Sequence, residues 1–241
     1  MKYVDYIIVG GGISGSVLSY TLMKYGASVH VFDLPEENQS SIVASGLWNP
    51  VVLKRMKKVW KADEMIETLQ RVYPAMENWT GKNFYHPLPI RRIFHNAGEQ
   101  NQWVAHSDHP SFSPYLNENI SRVPEHIIAK YGSGMMKQTG RVKVKTMLEA
   151  VRSNLKASGN FTEEKFNWSQ LKSHGDGVKY GSLAAHAVIS CEGAQAALDE
   201  SKLAVTGFAP VKGEVITVKL EKDLGTECIH QGHFMIGEGN Q

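Results

Sequence analysis

Two features of this 241-residue chain have residue types and spacing suited to chemistry. One is the run Gly10-Gly11-Gly12-Ile13-Ser14-Gly15; the other is Asp33, 18 residues beyond Gly15. Gly10 permits a tight turn, Gly12 lets backbone come close to a pyrophosphate, and Gly15 lets a following helix pack close to a sheet. A helix starting at Ile13 and Ser14 would offer unpaired N–H groups and partial positive charge to phosphates. Asp33 stands near the separation of about 20 residues at which an acid grips ribose hydroxyls. The chemistry is dinucleotide binding, with Gly10, Gly12, Ile13, Ser14, Gly15, Asp33 and Leu34 as its candidate contacts.

A glycine-rich turn acquires this meaning only between a strand and a helix. Tyr6-Ile7-Ile8-Val9 precedes it as an apolar strand, and Ala27–Phe32 reads as a second strand ending on Asp33. The intervening helix has Ile13, Val17, Leu18, Leu22 and Tyr25 as apolar residues at helical spacing, with Gly26 as the C′ glycine. Farther on, Met65, Ile66, Leu69, Val72, Met76 and Trp79 mark an amphipathic helix that Pro74 is expected to kink or split. Residues 84–140 are rich in His, Pro, Asn and aromatics, with a β-like piece at Ile90–Phe94, and read as a different subdomain. Lys143–Leu155 is helical in pattern, with Val144, Met147, Leu148, Val151 and Leu155 on one face. Phe161–Leu171 is a strand region, and Ala185–Ser190 a buried strand running into Cys191-Glu192-Gly193-Ala194. Gly213–Leu220 alternates as a half-buried strand should, and His233–Gly237 starts another.

The composition, 42% hydrophobic and 21% charged, is that of a soluble protein. A formal charge of +2 gives no reason to expect nucleic acid as a partner. Cys191 and Cys228 form neither a disulfide scaffold nor a CxxC metal pair. His106 with His109, and His230 with His233, lack the partners of a recognised ligand set, so no metal is expected. No apolar run is long enough to span a membrane, no signal segment precedes the first strand, and a cytoplasmic location is expected.

Several pieces, in this order, resemble the FAD-dependent oxidases and dehydrogenases of the D-amino-acid oxidase type, which include glycine oxidase, sarcosine oxidase and D-amino-acid dehydrogenase. They are Gly10–Gly12, the segment Ser40–Pro50, Ser190-Cys191-Glu192-Gly193-Ala194, and Pro210-Val211-Lys212-Gly213-Glu214-Val215. The resemblance implies FAD as cofactor. Ser41, Ala44, Ser45, Gly46 and Leu47 would pass the flavin ring, and Cys191, Glu192 and Gly193 would form a second contact. Glu192 departs from the small residue usual there; it would meet the adenosine side or face solvent. The implied fold is α/β, a Rossmann-like FAD-binding domain at 1–55 and 140–209. An α+β substrate domain with a mostly antiparallel sheet would occupy 56–139 and 210–241. The implied reaction oxidises the C–N bond of a small amine or amino acid by hydride transfer to flavin; no catalytic side chain is assigned. Such proteins continue for on the order of 100 further residues, carrying another flavin contact and a carboxylate-gripping arginine, so the resemblance also implies a truncated chain.

Three rival readings stand beside this one: an NAD-dependent dehydrogenase, a catalytically incomplete flavoprotein fragment, and a tRNA-modifying flavoenzyme. The last would use the basic run Lys54-Arg55-Met56-Lys57-Lys58, which reads better as a solvated surface. Arg91 and Arg92 are adjacent on a β-like piece, so at most one could enter a substrate cleft. Substrate, electron acceptor and oligomeric state are left open.

Overall fold

Lys2–Val9 (β1) is the central strand of the first sheet, and Ile7, Ile8 and Val9 are buried as a strand covered on both faces requires. The computed structural model describes residues 1–36, 39–121, 123, 125–198, 210–222 and 224–237. The chain divides into two units. One is Met1–Ser45 with Met76–Asn83 and Val144–Ile216; the other is Gly46–Ala75 with Phe84–Lys143 and Thr217–Gln241. The first division falls after Ser45 rather than at the expected residue 55, and Met76–Asn83 belongs to the first unit. The helix Ala62–Thr80 is continuous through Pro74, and a further division falls within it, between Ala75 and Met76.

In the first unit Ile13–Lys24 (α1) connects β1 to Val29–Phe32 (β2), and the two strands pair in parallel. Phe161–Thr162 pairs in parallel outside β2, and Leu183–Ser190 in parallel on the other side of β1. A hairpin, Lys172–His174 with Gly177–Tyr180, extends the sheet beyond Leu183–Ser190. The four parallel strands thus follow the order 3-2-1-4 of a dinucleotide-binding sheet. Phe32, Phe166 and Tyr180 fill the core on Val4, Ile7 and Leu183, with Phe166 and Tyr180 stacked at 4.2 Å.

The most buried residues of α1 are Gly15, Ser16, Ser19 and Tyr20, whereas the apolar residues at helical spacing, Ile13, Val17, Leu18 and Leu22, are half-buried and Tyr25 is 77% exposed. Small residues lie where the helix comes closest to the glycine turn, and their hydroxyls are satisfied locally: Ser16 Oγ donates to the Gly11 carbonyl at 3.0 Å and Ser19 Oγ to that of Ser16 at 2.9 Å. Gly26 takes φ +87° and closes the helix; its N–H donates to the Met23 carbonyl and that of Ala27 to the Leu22 carbonyl. The helix Val144–Ala157 buries Val144, Met147, Leu148, Val151 and Leu155, the face its sequence specifies.

The second unit is α+β. Its five-stranded sheet has the order His233–Ile236, Cys228–Gln231, Ile90–Ile93, Ser133–Met136, Leu116–Ser121; all pairs are antiparallel except Cys228–Gln231 with Ile90–Ile93. Trp103, Leu116, Met136, Ile90 and Cys228 form its core. Neither Arg91 nor Arg92 is left for a cleft, since both are buried and engaged within the unit. Arg91 donates to both carboxylate oxygens of Glu227, at 2.6 and 2.8 Å, and to Ser121 and Ser133. Arg92, on the opposite face, donates to His230 Nδ1 at 2.7 Å and to Glu99 at 3.1 Å.

The strand expected at Gly213–Leu220 is not formed. Residues 210–222 carry no strand or helix and are exposed throughout, with Ile216 at 82% and Val218 at 67%. Alternation specifies which face of a strand is apolar, but a ladder needs a partner strand, and none pairs with this segment among the described residues. Phe161–Leu171 is likewise strand only at Phe161–Thr162, with a 3-10 turn at Trp168–Gln170. Among the described residues no helix is long and apolar enough to cross a membrane.

Two consequences can be measured. Burial is the main cause holding the imidazoles of His30 and His230 down to about 4, with help from Lys2 and Arg92 respectively. The unfolded chain therefore takes up protons between about pH 6.5 and pH 4 that the folded chain refuses. Stability should fall as pH drops through that window, by up to about 3 kcal/mol per histidine. Denaturant midpoints across this range should show the loss, and His230→Asn should reduce its slope. Glu227→Ala, which leaves the Arg91 guanidinium without its carboxylate, should cost about 3 kcal/mol in denaturant unfolding.

Candidate functional site

The carboxyl ends of β1, β2 and Leu183–Ser190 converge on the glycine turn, where an open cavity of about 320 Å³ is lined by residues from all three strand ends. Parallel sheets bind ligands at this edge, beside the strand where the order reverses. The convergence has a steric cause. Gly10 takes φ +102°, and a Cβ on it would lie 2.5 Å from the Cys191 carbonyl oxygen. A Cβ on Gly15 would overlap the Gly10 carbonyl oxygen, and one on Gly11 would lie 2.7 Å from Asp33 Oδ2. Side chains here would push the three strand ends apart.

Gly12 is different. A Cβ there would meet only the hydroxyl of Ser41, at 2.9 Å, so its outer side opens on the cavity. Gly12 is also the N-cap of α1 and supplies no side-chain cap. The N–H of Ile13 donates to Ser41 Oγ at 3.2 Å, which places the short helix Ser40–Val43 beside the start of α1. The helix N-terminus thus carries partial positive charge beside a space lined by glycine.

Asp33 lies at the end of β2, 8% exposed, with its N–H donating to the Thr162 carbonyl. Its Oδ2 is buried without a hydrogen-bond partner, and Arg152 Nη2, at 3.5 Å, offers charge to the same oxygen but no bond. Gln39 Oε1 is also buried and unpartnered, while its amide nitrogen donates to the Leu34 carbonyl at 3.2 Å. Two lining residues therefore present acceptors in need of donors, which the hydroxyls of a ribose provide.

Opposite Asp33, Glu192 is held in place. Its carboxylate accepts from Trp168 Nε1 at 3.1 Å and from Ser190 Oγ at 2.9 Å. It lines the cavity rather than turning away to solvent. The N–H of Cys191 donates to the Val9 carbonyl at 2.7 Å, tying this turn to β1, and burial pushes its thiol up, so it stands there as a neutral group. Asp33, Glu36, Glu164 and Glu192 set four carboxylates around the cavity against Lys165. A phosphate here would depend on backbone N–H groups and the helix terminus rather than on side-chain cations.

Of the residues singled out in the sequence, Gly10, Gly12, Asp33, Leu34, Ser41, Cys191, Glu192 and Gly193 line this one cavity. Ile13, Ser14 and Gly15 form the first turn of α1. Ala44 and Ser45 follow the Ser40–Val43 helix, and Gly46 and Leu47 belong to the second unit. There the Gly46 carbonyl accepts from Val142, and Leu47 pairs with Arg141. Glu36, Gln39, Glu164, Lys165 and Phe166 line the cavity without having been singled out. The last three follow the two-residue strand Phe161–Thr162, and correct placement of that strand would have pointed to the loop after it. Among the described residues no three His, Cys, Asp or Glu converge as a metal site requires.

The comparisons with known proteins agree with this architecture. An uncharacterized oxidoreductase, YurR, of Bacillus subtilis (strain 168) is 41% identical over 56 residues, 23% of this chain and 15% of its own length. The solved L-amino acid deaminase from Proteus vulgaris shares the fold with a TM-score of 0.62 at 15% identity, over 85% of this chain and 51% of that one. Glycine oxidase from Geobacillus kaustophilus does so with a TM-score of 0.59 at 18% identity, over 82% and 57%. The chain spans little more than half the length of these structures and a smaller share of YurR. The family model described as FAD dependent oxidoreductase (DAO) matches residues 5–237, from within β1 to the last described strand, and the chain belongs to that family.

Proposed function

We propose that this chain binds FAD through the cavity at the β1, β2 and Leu183–Ser190 strand ends, and that it belongs to an oxidoreductase acting on the C–N bond of a small amine or amino acid. The observation that carries the cofactor assignment is the pair of orphaned buried acceptors, Asp33 Oδ2 and Gln39 Oε1, beside a helix N-terminus fronted by Gly12. Ribose hydroxyls would donate to the first two, and the pyrophosphate would lie along Gly12 and the first turn of α1. Glu192, oriented by Trp168 and Ser190, would accept a further donor from the adenosine half. Family membership favours FAD over a nicotinamide dinucleotide, which the same Asp33 would otherwise suit.

When bound, FAD supplies the hydride acceptor, and the work left to the protein is to orient the substrate carbon and exclude water. The two similar structures are those of an L-amino acid deaminase and a glycine oxidase, which supports an amino-acid substrate class. Ala44, Ser45, Gly46 and Leu47 are the proposed flavin-side contacts. A second reading, cofactor binding without turnover, is favoured by the exposed and unpaired segment at 210–222.

The purified chain, mixed with FAD and desalted, should keep the visible flavin bands. Gly12→Val should remain folded, because the new side chain meets only the movable Ser41 hydroxyl, yet lose the bands. Asp33→Asn, which weakens charge-assisted bonds to ribose, should lower FAD affinity by about 10- to 100-fold in equilibrium titration. A colourless wild-type protein would sink the cofactor reading. Bleaching of the bound flavin by one of a panel of amino acids under anaerobic conditions would support turnover, and full retention of colour with all of them would favour binding alone.

A further inference from the structure

We propose that the hairpin Val51–Lys58, together with Trp60, docks this chain on an anionic lipid surface. The basic run lies on a hairpin of the second unit. Val51–Val52 pairs with Lys57–Lys58 in antiparallel fashion. Val51, Leu53 and Met56 are buried in that unit's core, and Met56 turns the loop at φ +44°. The buried anchors alternate with the cations, so Lys54, Arg55 and Lys57 are held outward.

Local charge is not cancelled. Lys58 is paired with Asp63 at 2.6 Å and Lys61 with Glu64 at 3.1 Å. The side chains of Lys54, Arg55 and Lys57 make no ion pair or hydrogen bond among the described residues. Glu67, one turn farther along the helix Ala62–Thr80, is the nearest acid in sequence left to oppose three cations.

Apolar surface accompanies these charges. Trp60 is 73% exposed, Met65 47% and Val52 43%. Cations beside an exposed tryptophan and aliphatic groups match the headgroup boundary of a bilayer, where indole sits at headgroup level and lysine and arginine meet lipid phosphates. A single-stranded nucleic acid would use ring faces for base stacking but has no use for exposed aliphatic groups. The ammonium of Lys61 lies over one face of the Trp60 ring, 5.3 Å from its centroid, and Val52 and Met65 add aliphatic surface that acyl chains would cover. The occupant favoured is therefore the lipid surface, bound without a membrane-spanning helix.

The test is co-sedimentation of the full chain with vesicles of phosphatidylcholine alone and of equimolar phosphatidylcholine and phosphatidylserine. Binding should be confined to the anionic vesicles and weaken as salt is raised. The triple variant Lys54→Glu, Arg55→Glu, Lys57→Glu should lose on the order of 100-fold in partitioning. Trp60→Ala alone should lose roughly tenfold. All four side chains are exposed, so unchanged melting temperatures should accompany these losses, and the salt series on the unaltered chain requires no substitution. Equal partitioning to neutral and anionic vesicles, partitioning to neither, or binding to a single-stranded RNA without vesicle binding would each overturn the proposal.

Discussion

Helix α1 meets the end of β1 so closely that Gly15 faces the carbonyl oxygen of Gly10 with no room for a Cβ. The rest of the site depends on that distance. It forces small residues onto the inner face of α1, where Ser16 and Ser19 turn their hydroxyls back to backbone carbonyls. It fixes the glycine turn so that Gly10 lies against the Cys191 carbonyl and Gly11 against the Asp33 carboxylate. Three strand ends are thereby drawn to one point, and the cavity is the space left where Gly12 faces outward. Burial alone would have favoured larger apolar residues at Gly15, Ser16 and Ser19; this part of the helix is instead built for proximity.

The same geometry decides how an anion could be held. Carboxylates outnumber cations around the cavity, so side-chain charge opposes a phosphate. The attraction must come from the start of α1, whose Gly12 N-cap has no side chain, although Ser41 Oγ takes up the Ile13 N–H. Carboxylates are useful on the other side, where hydroxyl and amine donors of a nucleoside would lie. Arg152, at 3.5 Å from Asp33 Oδ2, tempers the charge of that acid without using its hydrogen-bonding capacity. Glu192 is oriented by Trp168 and Ser190, so its presence in place of a small residue leaves the cavity with a fixed acceptor.

Much of this was legible in the sequence wherever one residue type has one physical meaning. The glycine spacing, the acid after the second strand and the helical period of Val144–Leu155 all translate directly into structure. Apolar periodicity marks only the half-buried flank of α1, because its most buried positions near the glycine turn are Gly15, Ser16 and Ser19, which carry no apolar signal. The loop Glu164–Phe166 escaped notice because its guiding strand, Phe161–Thr162, is two residues long and too short to show alternation. Arg91 and Arg92 were candidates for a cleft on chemical type alone. Their partners, Glu227 and His230, lie more than a hundred residues away in sequence, where no local pattern could pair them.

The segment Gly213–Leu220 separates two kinds of information a sequence carries. Its alternation of Val, Ile and Leu with Lys, Glu and Thr specifies which residues would share a face if it were a strand. It says nothing about where the matching ladder comes from. Each backbone N–H and C=O of a strand must find a partner, and when no strand supplies one, water does so at every position. The segment is then exposed along its whole length, apolar residues included. Val51–Val52 shows the converse. Its pairing residues Lys57–Lys58 are charged and poor in strand character, yet the ladder forms because Leu53 and Met56 anchor the intervening turn in the core. Pairing in this chain therefore follows the availability and fixing of a partner more closely than it follows the local apolar pattern.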